Sequence, residues 1–183
     1  MPVAARSDLV AVLDACVLFP ASLRDTLLRL GETPRQYIPK WSDQILEEVA
    51  RNLESRRKLS PAKIAHLIGQ MKHHFPEAQT TGHEKLIARM TNDPKDRHVM
   101  AAAVRSGAQV IVTSNLKDFS AESLSDWGIE ALHPDDFLAN FLDHDTATVV
   151  EKLRDQAATI NRDLPALLRT LRTGRRDSPT RLP

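Results

Sequence analysis

Two short apolar runs in this chain each break off at a polar turn carrying an acid or its amide, and this pattern restricts the fold more than any other feature. Leu9-Val10-Ala11-Val12-Leu13 ends on Asp14, and Gln109-Val110-Ile111-Val112-Thr113 opens onto Ser114-Asn115-Leu116-Lys117-Asp118-Phe119. Continuous apolar runs of this length suit central parallel strands covered on both faces. In open parallel sheets, ligands sit beyond the carboxyl ends of the strands, so Asp14 and the Asn115/Asp118 turn are expected to face one crevice.

Between the runs lies a third acidic stretch, Asn92-Asp93-Pro94-Lys95-Asp96, directly before a small-residue helix. Asp96 reads as the N-cap, Arg97 to Arg105 as good helix formers, and Gly107 as the stop. A lone Asp there is ordinarily just a cap. Its neighbours in the pattern make it a candidate site acid as well.

At 183 residues the chain has room for one domain plus an extension. Charges nearly balance at +1, so whole-molecule charge does not advertise nucleic-acid binding and local patches must carry that argument. The single cysteine, Cys16, excludes an internal disulfide framework and reads as a small core hydrophobe rather than a nucleophile. No apolar stretch has the length of a leader core or a membrane span, so the expectation is a soluble cytoplasmic protein without membrane contact.

Taken in order, a helix is expected over 22–31 with Ser22 as cap, its Arg24 and Asp25 either lining the crevice or solvated. Gln36–Pro39 reads as a short strand ended by Pro39, and Asp43 to Ser55 as a helix with Ile45, Leu46, Val49 and Leu53 on one arc. Glu48 flanks that arc whereas Glu47 points outward, so Glu48 is the candidate ligand. Arg51, Arg56, Arg57, Lys58 and Lys63 then gather around the start of another helix, 61–75. They read equally as an RNA phosphate track or a solvated junction. His66, His73, His74 and His83 lack zinc-site spacing and are expected at the surface. A loop over 76–82, a short helix over 83–90, a helical turn near 120–124, a strand over 129–132 and a Pro134-led helix to Leu142 complete the domain.

Asp14, Glu48, Asp96 and Asp118, with Asp93 and Asn115 beside them, are hard oxygen donors brought in from distant segments. Such donors imply Mg²⁺ or Mn²⁺. Several carboxylates in one crevice repel one another unless a cation joins them, and two such ions about 4 Å apart are a standard apparatus for phosphodiester hydrolysis. The residues therefore point to a nuclease. A dehalogenase-type phosphatase would need an acid where Cys16 stands, and a receiver domain an acidic pair that is absent. A metal-dependent phosphohydrolase of another substrate and a catalytically silent binding module stay open as alternatives.

At these residues the chain resembles the PIN-domain family, in particular the VapC-like ribonucleases and the related PIN_3 group. The likeness spans roughly residues 10–141. It rests on Leu13-Asp14-Ala15-Cys16-Val17-Leu18, on Trp41-Ser42-Asp43-Gln44-Ile45-Leu46-Glu47-Glu48-Val49, on Asp93-Pro94-Lys95-Asp96-Arg97-His98-Val99-Met100-Ala101-Ala102-Ala103 and on Val112-Thr113-Ser114-Asn115-Leu116-Lys117-Asp118-Phe119. The resemblance implies a three-layer α/β/α fold with a short parallel sheet and metal-dependent cleavage of RNA, often as the toxin of a toxin-antitoxin pair. It carries over Asp14, Glu48 and Asp96. At the fourth position the family commonly has an acid where this chain has Asn115, and Asp118 follows three residues on, so the two share that role as candidates.

Beyond the resemblance, Val150, Leu153, Ala157, Ile160, Leu164, Leu167 and Leu171 recur at steps of three and four, a helical seam that packs on something. Two helices are expected, 146–162 and 164–173, with Asp163 capping the second and Gly174 ending it. The expected division is a nuclease domain over 1–142, a helical extension over 143–174 and a disordered tail over 175–183. The seam is expected to meet either its own domain or a partner, which would be a second copy of the chain or an antitoxin protein.

Overall fold

Ala11, Val12 and Leu13, together with Val110, Ile111 and Val112, are wholly inaccessible to solvent, as strands covered on both faces must be. The computed structural model describes residues 8–174, and the expected tail at 175–183 lies outside them. The strands are β1 (Val10–Leu13), β2 (Ile38–Ser42), β3 (Gln79–Thr80), β4 (Val110–Val112) and β5 (Glu130–Leu132). The helices are α1 (Ala15–Leu18), α2 (Ala21–Gly31), α3 (Asp43–Arg57), α4 (Pro61–His74), α5 (Arg97–Ser106), α6 (Ala121–Ser125), α7 (Pro134–His144), α8 (Thr146–Thr159) and α9 (Leu164–Gly174). Short 3₁₀ turns occupy Pro76–Ala78, Glu84–Arg89 and Leu116–Asp118.

Among the described residues the strands form one parallel sheet in the order β3-β2-β1-β4-β5. The chain moves outward from β1 to β2 and β3, then returns across the sheet to β4, so the strand order reverses between β1 and β4. Right-handed crossovers then set α2 and α5 on opposite faces, giving the expected α/β/α layering. Helix α5 lies across β1, β2 and β4. Val99 through Ala103 are all at zero exposure, more than a full turn, so the helix is buried on every side there, between the sheet and the 3₁₀ turn Glu84–Arg89. Gly107 ends it in the left-handed conformation at φ 66°, as a glycine stop should.

Several sequence boundaries shift: α3 runs to Arg57 rather than Ser55, α7 to His144 rather than Leu142, α8 stops at Thr159 rather than at 162, and the helix expected over 83–90 is the 3₁₀ turn Glu84–Arg89. The second strand is Ile38–Ser42 rather than 36–39, and Pro39 lies inside it, paired with Ala11. Proline is tolerated there because β3 reaches only Trp41 and Ser42, so the outer side of β2 needs no amide donor at residue 39. The segment expected as a loop over 76–82 contains β3, and the helix over 22–31 starts at Ala21 with Pro20, not Ser22, in the capping position.

The C-terminal helices lie against α2 and α7. Gln156, 1% exposed, accepts from the Thr26 hydroxyl at 2.7 Å and donates to the Ser22 carbonyl at 2.9 Å. Lys152 reaches the carbonyls of Arg29 and Glu32 at 2.7 and 3.0 Å, satisfying the end of α2. The buried face is Val149, Leu153, Gln156, Ala157 and, from α9, Leu167, so the seam is centred on Val149 rather than Val150. Ile160 and Leu168 remain 43% and 42% exposed. Asp163 caps α9, accepting from the Ala166 amide at 2.7 Å.

Candidate active site

The first residue past the central strand is the centre of the candidate site. Register pairs Leu13 with Val112, and the Asp14 amide donates to the Val112 carbonyl at 3.1 Å, so the ends of β1 and β4 are side by side at the reversal of strand order. The Asp14 carboxylate is 2% exposed. Its Oδ2 accepts from the Thr113 hydroxyl at 2.7 Å and from the Cys16 thiol at 3.1 Å. Those donors are tied to the β4 turn in their own right: Thr113 Oγ1 accepts from the Asn115 amide at 3.0 Å, and Cys16 Sγ from the Ser114 amide at 3.2 Å.

Burial pushes the Asp14 carboxyl above its ordinary range, against the pull of the Thr113 and Cys16 hydrogen bonds, and the nearby Glu48 charge raises it further. Burial likewise pushes the Cys16 thiol well up, with the charge of Asp14 adding to it. Cys16 is therefore a protonated donor at neutral pH. It is buried as the sequence suggested, but it is polar in use rather than a plain core hydrophobe.

Glu48, half-buried on the second turn of α3, lies 3.7 Å from His98 Nε2, while Glu47 is exposed. Asp96 is 5% exposed and occupies the capping position of α5, with its carbonyl accepting from Val99 and Met100. Its side chain makes no capping hydrogen bond, so a simple cap does not explain it. Asp93 spends Oδ1 on the Lys95 amide at 3.0 Å, and its own amide donates to the Asp118 carbonyl at 3.2 Å. The Asp118 amide in turn donates to the Asn115 carbonyl at 3.0 Å. Two groups result, Asp14 with Glu48 and Asp93 with Asp96 and Asp118, joined through the Asn115 turn.

Thr113, Cys16 and His98 were not singled out from the sequence as site residues. For Thr113 a signal existed, since a hydroxyl closes the apolar run paired with the one that ends on Asp14. Arg51, Arg56, Lys58 and Lys63 are exposed along the end of α3 and the start of α4. Arg57 instead sits over the Phe19 ring at 5.3 Å. Arg24 donates to the carbonyls of Leu18 and Phe19 at 2.7 and 3.3 Å, and Asp25 pairs with Arg29 at 3.1 Å.

The groups that hydrogen-bond the Asp14 carboxylate, the Thr113 hydroxyl, the Cys16 thiol and the Ala15 amide, are neutral donors, while a second carboxylate raises its pKa. A buried anion in that setting fits a cation. No three His, Cys, Asp or Glu side chains among the described residues converge closely enough to cage an ion by themselves, so the acids form an open arrangement. Beside the Asn115 turn runs a groove of about 1210 Å³. Its walls include Leu53, Leu59, Leu116, Leu138, Leu168 and Leu171, and its cations are Arg24, Arg57, Lys117 and Arg172, against the acid Asp135.

A PIN-domain family profile, PIN_3, matches residues 10–117, more than half of the chain and all of β1 through β4. This chain belongs to the PIN-domain family. It is also 60% identical over 62 residues to a Mycobacterium tuberculosis protein provisionally named ribonuclease VapC50; the match covers 34% of this chain and 37% of that protein. The matched region thus spans well under half the length of that relative. No helix among the described residues is long and apolar enough to cross a membrane.

Proposed function

We propose that this PIN-domain protein is a divalent-metal-dependent endoribonuclease of the VapC-like toxin type, using Mg²⁺ or Mn²⁺. The observation that carries the reading is the Asp14 carboxylate: buried at the end of the central strand, held only by neutral donors, and coupled to Glu48. Asp14, Asp96 and the Asn115/Asp118 turn would hold the cation, with Glu48 and Asp93 at its margin. A bound divalent ion supplies charge stabilisation at the phosphoryl oxygens and lowers the pKa of water. Glu48 orients the attacking water and takes its proton on a carboxylate oxygen. Thr113 and Cys16 keep Asp14 fixed, and burial of β1 and β4 around it excludes bulk water.

Lys117, two residues past Asn115, and Arg57 line the same groove as the Asn115 turn, and we assign them to RNA phosphates ahead of Arg51, Arg56, Lys58 and Lys63. The leucine-lined groove offers no exposed aromatic platform for bases. Its aliphatic floor suits a protein segment bearing leucines, and we assign it to the antitoxin, which would cover Arg57 and Lys117 and so exclude RNA; a second copy of this chain is the competing occupant. A cytoplasmic location follows from this role.

The decisive experiment is incubation of the purified protein with labelled RNAs in Mn²⁺, in Mg²⁺ and in chelator, beside the Asp14→Asn and Asp96→Asn variants. Internal cleavage should require the ion and both acids. Turnover of small phosphate esters without RNA cleavage would establish the other phosphohydrolase reading instead.

A further inference from the structure

The Asp14 carboxylate takes a hydrogen bond from the Ala15 amide and, on a single oxygen, two more from side chains. Thr113 Oγ1 lies 2.7 Å and Cys16 Sγ 3.1 Å from the same oxygen, Oδ2, and the two donors are 3.4 Å from each other. Neither donates to Oδ1. A carboxylate oxygen that accepts two side-chain hydrogen bonds has its lone pairs engaged, so the carboxylate cannot rotate without losing both. The two donors also hold the facing turn through the Ser114 and Asn115 amides, at 3.2 and 3.0 Å. One network therefore sets both the orientation of Asp14 and the place of Asn115.

We propose that Thr113 and Cys16 are positioning residues for the metal-dependent reaction: together they clamp Asp14 Oδ2 and so fix how the carboxylate is offered to the divalent cation, and they lock the Asn115 turn to the same centre. The proposal rests on the nuclease reading above. Hydrogen-bond partners behind a ligating carboxylate commonly change metal affinity by about 10–100-fold when removed. Here Cys16 follows β1 and Thr113 follows β4, and the two are brought together by the pairing of those strands. If the two side chains merely satisfied a buried acid, their loss would lower stability and leave cation uptake by the folded protein unchanged.

The test is direct Mn²⁺ binding, followed by loss of the free-ion electron paramagnetic resonance signal, on the full chain and on Thr113→Val, Thr113→Ser, Cys16→Ala and Cys16→Ser. The Val and Ala variants should bind Mn²⁺ about 10–100-fold more weakly, and the Ser variants should recover most of that loss. A second measurement needs no stable variant. Cys16 is the sole cysteine in the chain, so its S–H infrared band is assignable. Mn²⁺ bound to the carboxylate withdraws charge from it, weakens its acceptance at Oδ2, and should move that band. Equal Mn²⁺ affinity in the folded variants, or a band unmoved by saturating Mn²⁺, overturns the clamp while leaving the nuclease reading standing. A full chain that takes up no Mn²⁺ at all overturns both.

Discussion

Replacing Asp14 with Asn should move stability and metal binding in opposite directions. The amide is nearly isosteric, and its oxygen can still accept from Thr113 and Cys16 at the position of Oδ2. Each of those hydrogen bonds weakens from the charged to the neutral class, a loss of about 1–1.5 kcal/mol apiece. Against this stands the penalty of burying an ion, several kcal/mol even after relaxation, which the variant escapes together with the repulsion from Glu48. The net expectation for the metal-free protein at neutral pH is a gain of about 1–2 kcal/mol. For a chain of this size that is a Tm rise of about 2–8 °C. Because the folded carboxyl titrates above its unfolded value, its favourable contribution is complete below the unfolded pKa and disappears as pH rises through the folded one. The gap between variant and wild type should therefore be absent near pH 3.5 and open toward neutrality. With Mn²⁺ at a hundred times its dissociation constant the wild type should gain about 2.7 kcal/mol and the variant almost nothing. Differential scanning calorimetry in chelator and in Mn²⁺ reads both effects. A variant that melts below wild type in chelator, or that Mn²⁺ stabilises equally, refutes this account of the buried carboxylate.

His83, expected at the surface, is instead buried at 2% exposure with Nε2 2.8 Å from Gln44 Oε1; burial holds its pKa below the usual value, so stability should fall as pH drops below about 6.5, and urea titrations across pH 5–8 should show this slope flattened in His83→Gln. Leu153→Ala should cost about 2–5 kcal/mol by chemical denaturation, because Leu153 is buried where α8 meets α2 and α7; a loss under 1 kcal/mol would mean that α8 is dispensable to the fold. In filter-binding titrations, Arg57→Ala and Lys117→Ala should each reduce the salt slope of RNA affinity by about 0.7, whereas Arg56→Ala and Lys63→Ala leave it unchanged; the reverse pattern would place the RNA along the α3–α4 junction.

The legible parts of the fold were those written in local pattern. The runs into Asp14 and into the Ser114 turn, the small-residue helix from Arg97 to its Gly107 stop, and the Asp163 cap all have a mechanism within a few residues. What escaped depends on distant partners. Pro39 reads as a terminator until β3 is seen to stop short of it, and β3 is too brief for any periodicity to register. The seam of α8 was visible, but its true centre contains Gln156, a polar residue that belongs there only because Thr26 and Ser22 satisfy it from α2. The site divides in the same way. Its acids announce themselves by position at element ends, whereas Thr113 and Cys16 acquire their role only when register sets Leu13 beside Val112.

That register also bears on the choice between Asn115 and Asp118. Asn115 hangs from Thr113 Oγ1 by its amide, and Thr113 in turn donates to Asp14, so any displacement of Asn115 is transmitted to the Asp14 carboxylate. Asp118 has different ties: its amide is bonded to the Asn115 carbonyl and its carbonyl to the Asp93 amide, which joins it to the loop leading into Asp96. We therefore assign Asn115 to the Asp14 half of the site and Asp118 to the Asp96 half, so the two complement each other instead of competing for one position. A neutral side chain is acceptable at position 115, whose backbone is tied to the Asp14 network, because Glu48 already supplies a second negative charge near Asp14, and a further carboxylate would add repulsion. On this argument Asn115→Asp should raise the Asp14 pKa further and destabilise the metal-free protein, yet tighten Mn²⁺ binding, since the ion meets one more negative charge. Asp118→Asn should weaken Mn²⁺ binding without moving the Asp14 titration seen by carboxylate infrared difference spectra. Should Asp118→Asn shift Asp14 as strongly as Asn115→Asp does, the two residues act at one centre and the division is wrong.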